Sequence, residues 1–481
     1  MSNLHTSSVS HPPLTDDCSC DAAVIGGGIT GVLCAHALAL RGLSVLLLEE
    51  HTVAHEGSKT ARSTAKATAA HGRMYSTLTE TVSAEASRKY AAANLAGLRF
   101  LHSIADTSST VGQVRDMYLY ALHGERLLQR EFCAMRNGGI ICEYTKNAPL
   151  PFSVSAAIRL PDQLALDPVE LCRCLCGMGH FRICEHSRVT AVGRHSLLCN
   201  GHTVTARHIV AATNYPGFRP LETGAVLPLK LFRQSSYAIA VRCDAGFRIP
   251  DILAFGIDGG YGYRYAPDGH TLIVSGETHR GTASPNTGKR LLIAAKSAAA
   301  GEISVVRQWS NNDGYTHDGI PYVGQLRNGV FIACGFGAWG MTNAASAALI
   351  LAEQIGGRRL WYDDLFSPGR NFLHGGSRQF AEHLRTSIGG AVRTVSAPPD
   401  CYAGDVACGQ AEIINYHGRR AGAYRDSDGR LYVVDLRCPH LGCSLEWNPE
   451  ERSWDCPCHG SRFDYTGKCI SNPAVRGISL G

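Results

Sequence analysis

The chain has 481 residues, of which 46 are basic and 41 acidic, for a formal net charge of +5. That length exceeds what one hydrophobic core usually supports, so two or three units are expected. The charges are interspersed rather than blocked, which speaks against nucleic-acid binding, and no apolar run approaches the ~20 residues of a membrane helix. Met1 to Cys20 is rich in Ser, His, Pro and Asp and lacks the basic start and apolar stretch of a secretory signal. It reads as a flexible tail, residues 1–20, of a cytoplasmic protein. Most of the 19 cysteines stand singly in apolar segments, where Cys behaves as a small buried hydrophobe.

Asp21 to Ile25 (DAAVI) predicts a short buried strand that runs into Gly26-Gly27-Gly28-Ile29-Thr30-Gly31. The helix follows over Val32 to Arg41, Gly42 ends it, and Val45 to Leu48 predicts a second strand closing on Glu49. This is a complete βαβ unit with G-x-G-x-x-G at its first turn. Gly26 permits the tight turn, Gly28 lets the backbone approach a pyrophosphate, and Gly31 lets the helix pack closely on the strand. The phosphates sit on the positive helix N-terminus, and Glu49 can accept hydrogen bonds from a ribose diol. The motif alone leaves NAD and FAD open.

From about Asp21 to Gly357 the chain resembles the D-amino-acid oxidase and glycine oxidase class of FAD-dependent amine oxidoreductases. The likeness rests on the βαβ unit together with Thr60 to Thr68 (TARSTAKAT), Ala157 to Leu171, Ile209 to Thr213 (IVAAT), and Asp318-Gly319-Ile320-Pro321 followed by Cys334 to Thr342 (CGFGAWGMT). The resemblance implies FAD as the cofactor. It places Thr64 and Ala65 in a small-residue loop over the flavin, Thr213 on the strand that returns to the site, and Gly335, Gly337, Gly340, Met341 and Thr342 at a glycine-rich turn. That turn precedes a helix whose N-terminus faces the flavin C2 carbonyl.

Around Ser377 to Ser387 a helix is plausible from the pattern, and residues 376–400 read as a linker. Beyond it come short alternating strands with Gly and Asp turns, a small β domain over residues 401–481. It holds Cys438-Pro439-His440-Leu441-Gly442-Cys443 and Cys456-Pro457-Cys458-His459-Gly460-Ser461, a C-x-H and a C-x-x-H loop. A Cys2His2 set also suits zinc, but one Cys and one His in each loop fits a Rieske 2Fe-2S centre, in which two thiolates hold one iron and two imidazoles the other. Resemblance to Rieske proteins implies Cys438 and Cys456 as thiolate ligands, His440 and His459 as imidazole ligands, and Cys443 with Cys458 as a loop-tethering disulfide. It also implies that Ser461 hydrogen-bonds the cluster, whereas Phe463 stands where high-potential members carry a second donor.

The expected fold is therefore an α/β Rossmann-like FAD-binding domain with an inserted antiparallel β substrate domain, residues 21–375, followed by a small all-β Rieske domain. The resemblance implies oxidation of an amine or amino acid at FAD, with electrons leaving through the 2Fe-2S cluster to an unidentified acceptor. Arg264, in the predicted strand Tyr261 to Tyr265, is the candidate clamp for a substrate carboxylate; an exposed strand arginine is the alternative. Two other readings stay open: a non-catalytic redox sensor or carrier, and a peroxide-forming oxidase whose Rieske domain is structural.

Overall fold

The computed structural model describes residues 10–214, 230–280, 286–394 and 397–480. The strand Cys18–Ile25 ends in four fully buried residues, Ala22 to Ile25. Such a run needs cover on both faces, as in the middle of a parallel sheet. It pairs in parallel with Val45–Leu48 on one side and His202–Ala211 on the other, and Arg182–Cys184 and Phe331–Cys334 extend the parallel set. The helix Ile29–Ala39 is buried almost all round because it is wedged between this sheet and the helices Pro168–Gly177 and Gly340–Ile355.

A second sheet runs Ser304–Thr316, Leu231–Arg242, Thr271–His279, Gly262–Tyr265, Leu253–Gly256, Gly112–Ala121, Ala156–Leu166, Lys66–Ala67. It is the expected antiparallel insert except for one parallel pairing, Leu253–Gly256 on Gly112–Ala121. The C-terminal half carries a three-stranded sheet (Ala411–Tyr416, Arg419–Arg425, Leu431–Asp435) and a four-stranded one (Glu446–Asn448, Ser453–Asp455, Arg462–Asp464, Cys469–Ser471).

Two expectations are corrected. Of the expected tail, residues 1–9 lie outside the described residues, but the segment from residue 10 is anchored. Leu14 is buried, its N–H donates to Ser187 Oγ at 2.9 Å, and the His11 N–H donates to Glu185 Oε2 at 2.9 Å. The first strand starts at Cys18, three residues before Asp21. The helix expected around Ser377 to Ser387 is present but longer, Leu373–Thr394, kinked at His374 and Gly375, so that it takes up most of the expected linker, and it buries His383.

The C-terminal β part packs on the antiparallel sheet. Arg233 donates through Nη1 to Ser471 Oγ at 2.8 Å and through Nη2 to Asn472 Oδ1; Asn448 Nδ2 donates to Tyr237 OH at 3.1 Å, and Arg462 Nη1 to Ser310 Oγ at 3.2 Å. A Cβ on Gly460 would stand 2.6 Å from Arg233 Cβ, so a glycine is what lets the second Cys/His loop approach this strand.

Candidate functional sites: a nucleotide cradle and a Cys/His centre

At the first turn the backbone leaves no room for side chains. A Cβ on Gly31 would lie 1.8 Å from Gly26 O, and one on Gly26, at φ +106°, would lie 2.9 Å from Ala212 O. Thr213 follows directly, so the returning strand and the glycine turn meet. Gly28 opens the helix, and the Ile29 N–H donates to Thr60 Oγ1 at 2.9 Å, which ties the loop from Thr60 to the helix N-terminus. Glu49 stands at the end of its strand as expected. Its Oε2 accepts from the Gly27 N–H and its Oε1 from the His51 N–H at 2.8 Å, which leaves lone pairs on both oxygens. Glu50 instead faces Arg188 at 3.7 Å.

The second glycine turn meets the antiparallel sheet. Gly335 (φ +77°) and Gly337 (φ +59°) pass against Thr316 and the Tyr315 ring, where Cβ atoms would approach to 2.6 and 3.1 Å. The Gly337 N–H donates to Gly314 O at 2.8 Å. The helix Gly340–Ile355 then begins with no side-chain cap at Trp339, and a Cβ on Gly340 would meet nothing within 4 Å. An uncapped helix start beside open space suits a carbonyl acceptor. Met341 and Thr342 are buried, and Thr342 Oγ1 is committed to His71 Nε2 at 2.9 Å and Thr68 O at 3.2 Å. These two residues can offer only main-chain groups. His71, stacked on Trp339 with centroids 4.9 Å apart, is held neutral by burial, its pKa lowered to about 3; the sequence reading passed over it.

Arg264 requires correction. It is 3% exposed, and its Nη1 donates to the main-chain oxygens of Thr64 (2.9 Å), Ala65 (2.8 Å) and Leu166 (2.9 Å), while Nε donates to Tyr265 O at 2.8 Å. A bidentate carboxylate clamp pairs Nη2 with either Nη1 or Nε, and both of those are already committed to main-chain oxygens. The guanidinium instead grips the Thr64-Ala65 loop, where Ala65 sits in the left-handed region at φ +49°. The sequence could not show this, because the gripped loop lies 199 residues away.

Near the glycine turn, alternate positions on Ser304–Thr316 place Asn311, Asp313 and Tyr315 on one face. Asn311 Nδ2 donates to Asp313 Oδ1 at 3.2 Å. Burial raises the Asp313 carboxyl to about 6 against the pull of Lys59 and Arg233, and burial lowers the Lys59 ammonium.

In the C-terminal half, the two Cys/His loops share one backbone design. Gly442 N donates to Cys438 O (2.8 Å) and Gly460 N to Cys456 O (2.9 Å), with both glycines left-handed; Cys438 N donates to Cys443 O (2.9 Å) and Cys456 N to Ser461 O (2.8 Å). A disulfide joins Cys443 to Cys458 and so pins one loop to the other. The Cys438 and Cys456 thiols face each other closely enough to share a hydrogen bond. That bond lowers Cys438 to about 7, helped by the Ser461 hydroxyl, and raises Cys456. His459 is 3% exposed and neither ring nitrogen has a hydrogen-bond partner among the described residues. Its ring stands 4.9 Å from that of His440. Two buried thiols beside the buried His459 imidazole, whose nitrogens have no partner among the described residues, and the half-buried His440 imidazole make a donor set that a 2Fe-2S cluster satisfies. No helix among the described residues is long and apolar enough to cross a membrane.

Residues 21–354 match the family model for DAO, the FAD dependent oxidoreductases, and residues 396–479 match the Rieske [2Fe-2S] domain. The chain is 30% identical to the Rieske 2Fe-2S iron-sulfur protein YhfW of Bacillus subtilis (strain 168), across 97% of this chain and 94% of that one. A 49-residue stretch is 45% identical to the cytochrome b6-f complex iron-sulfur subunit 1 of Nostoc sp., covering 27% of that protein. Among solved structures, glycine oxidase from Geobacillus kaustophilus superposes with a TM-score of 0.61 at 19% identity, over 73% of this chain and 99% of that one. L-amino acid deaminase from Proteus vulgaris gives 0.62 at 16% identity, over 75% and 99%. The glycine cradle and the paired Cys/His loops thus have their explanation: the chain belongs to the DAO family of FAD-dependent oxidoreductases, extended by a C-terminal Rieske domain, and binds FAD and a 2Fe-2S cluster.

Proposed function

We propose that this protein oxidises an amine or amino acid at FAD and passes the electrons, one at a time, through the Rieske cluster to an outside acceptor. FAD supplies two-electron acceptance from a C–H bond and the cluster supplies one-electron carriage. The observation that carries the reading is the seating of the second Cys/His loop: His459 is buried, with its ring 5.3 Å from that of His383 on the connecting helix, and Gly460 packs on Arg233 of the oxidoreductase sheet. A Rieske domain kept for stability alone has no need to turn its ligand loop inward.

In this reading Gly26, Gly28, Gly31 and Thr213 shape the phosphate end, Glu49 takes the ribose, and the main chain at Thr64, Ala65, Gly335, Gly337, Gly340, Met341 and Thr342 lies along the flavin. Cys438, His440, Cys456 and His459 hold the cluster. With Arg264 committed elsewhere, the face of Asn311, Asp313 and Tyr315 beside Lys59 offers a polar wall at the glycine turn. It can take an ammonium on Asp313 and a carboxylate on Lys59. The glycine oxidase and deaminase likenesses favour an amino-acid substrate.

The test is anaerobic addition of amines and amino acids to the purified holoprotein. At least one should bleach the flavin band and then develop the reduced-cluster signal. Failure of every amine and amino acid to bleach the flavin would remove the substrate assignment.

A further inference from the structure

Between the second glycine turn and the Cys/His centre, the space is filled by aromatic rings in unbroken contact. Tyr315 packs on the Gly335–Gly337 turn. Its ring stacks on Phe232, with centroids 5.7 Å apart and an interplanar angle of 18°. Phe232 stacks in turn on His317 at 5.3 Å, and His317 lies 5.2 Å from His383, with His317 Nε2 and His383 Nδ1 3.4 Å apart. His383 reaches the Rieske half twice: its Nε2 pairs with Cys458 O at 3.1 Å, and its ring lies 5.3 Å from His459.

The residues come from three separate pieces of chain: the strand Leu231–Arg242, the strand Ser304–Thr316 with the residue that follows it, and the connecting helix Leu373–Thr394. His317 and His383 are 2% and 3% exposed. Gly376 permits the approach of the helix, since a Cβ there would stand 2.9 Å from His317 C. Burying two imidazoles is costly unless they serve structure or function. Here burial holds His383 neutral, with its pKa lowered to about 4.

We propose that Tyr315, Phe232, His317 and His383 form an aromatic bridge that carries electrons from the flavin side to His459. This deepens, and rests on, the reading that the cluster lies on the flavin's electron path. Electron tunnelling falls steeply with distance and is faster through packed matter, π systems especially, than across gaps. Each electron leaves the reduced flavin singly and reduces one ferric iron to ferrous, while the flavin's proton goes to solvent. The second electron follows once an outside one-electron acceptor has reoxidised the cluster. The imidazoles gain and lose nothing overall. The connecting helix is then a working part of the path rather than a tether.

The experiment uses full-length holoprotein, free of any need for the natural substrate. A light flash absorbed by the bound FAD, with EDTA as the sacrificial donor, reduces the flavin anaerobically, and cluster reduction is followed optically, with the paramagnetic spectrum recorded afterwards. His383→Leu and Phe232→Leu should each slow cluster reduction roughly tenfold or more. Cofactor content and the cluster's paramagnetic spectrum should stay as in the wild type. His383→Phe, which restores a ring, should recover much of the rate. Phe232→Leu keeps the test sound should His383→Leu disturb cluster assembly, since Phe232 touches no residue of the Cys/His loops through its ring stack. Unchanged rates in both leucine variants would overturn the bridge. Absence of cluster reduction in the wild type as well would instead overturn the underlying electron path, so the two failures are distinct.

Discussion

Arg233 Nη1 donates to Ser471 Oγ at 2.8 Å, joining a buried strand of the oxidoreductase half to the last short strand of the Rieske half. The same guanidinium reaches Asn472, and Gly460 packs on its stem. Arg233→Met keeps the stem and removes the fork. The loss of charged hydrogen bonds across a buried interface should weaken docking by about 2–5 kcal/mol. Limited proteolysis should then cut faster between the halves while both cofactors are retained. Unaltered cleavage would show that docking rests on the other contacts.

Glu49 and Gly31 test the cradle in different ways. Glu49→Ala removes charge-assisted hydrogen bonding worth roughly 1.5–3 kcal/mol in all, so FAD should bind about 10- to 100-fold more weakly in a chain that still folds. Gly31→Ala forces a Cβ to 1.8 Å from Gly26 O, so the helix must move off the strand. That variant should be recovered without FAD or not at all. FAD titration of the apoprotein reads both, and full-strength binding in Gly31→Ala would contradict the packing described.

Arg264→Met should behave as a structural change and not as loss of a substrate clamp. Removing the fork takes a donor from the carbonyls of Thr64, Ala65 and Leu166; Ala65 O keeps the Leu166 N–H, and each group left unsatisfied costs about 1–3 kcal/mol. The melting temperature and FAD retention should fall together, whereas a selective rise in KM with unchanged stability would restore the substrate role.

What was legible in the sequence follows from how local the constraint is. The βαβ unit could be read because strand, glycine turn, helix and second strand follow one another without interruption, with Gly31 packing on Gly26 inside the turn itself, and the Cys/His loops because iron fixes ligand type and spacing. Arg264 was misread because strand alternation does not show which loop arrives opposite a side chain. His383 was invisible: a lone histidine in a connecting helix has no signature, and its meaning comes from His317 and His459 on either side. The anchoring of the tail on Glu185, likewise, depends on a pairing across 174 residues.

The cluster's surroundings set a potential. Ser461 is fully buried, with its hydroxyl directed at Cys438, while Phe463 is fully buried and offers no donor. Donors to the sulfurs stabilise the added electron. Ser461→Ala should lower the potential and Phe463→Tyr should raise it, with the wild type in the middle or lower part of the roughly −150 to +300 mV Rieske span. Protein-film voltammetry decides, and a wild-type value near the upper end would refute the tuning argument.

The central claim is that electrons leave the flavin through the cluster. Its most direct measurement is anaerobic single turnover of the full chain, flavin absorbance and cluster signal recorded together, in wild type and in His440→Ala and His459→Ala. The account predicts that in wild type the cluster is reduced as the flavin reoxidises. In the ligand variants the flavin should still be reduced but should not discharge to a one-electron acceptor. Undiminished discharge in those variants would show that electrons leave directly from the flavin and would contradict the account.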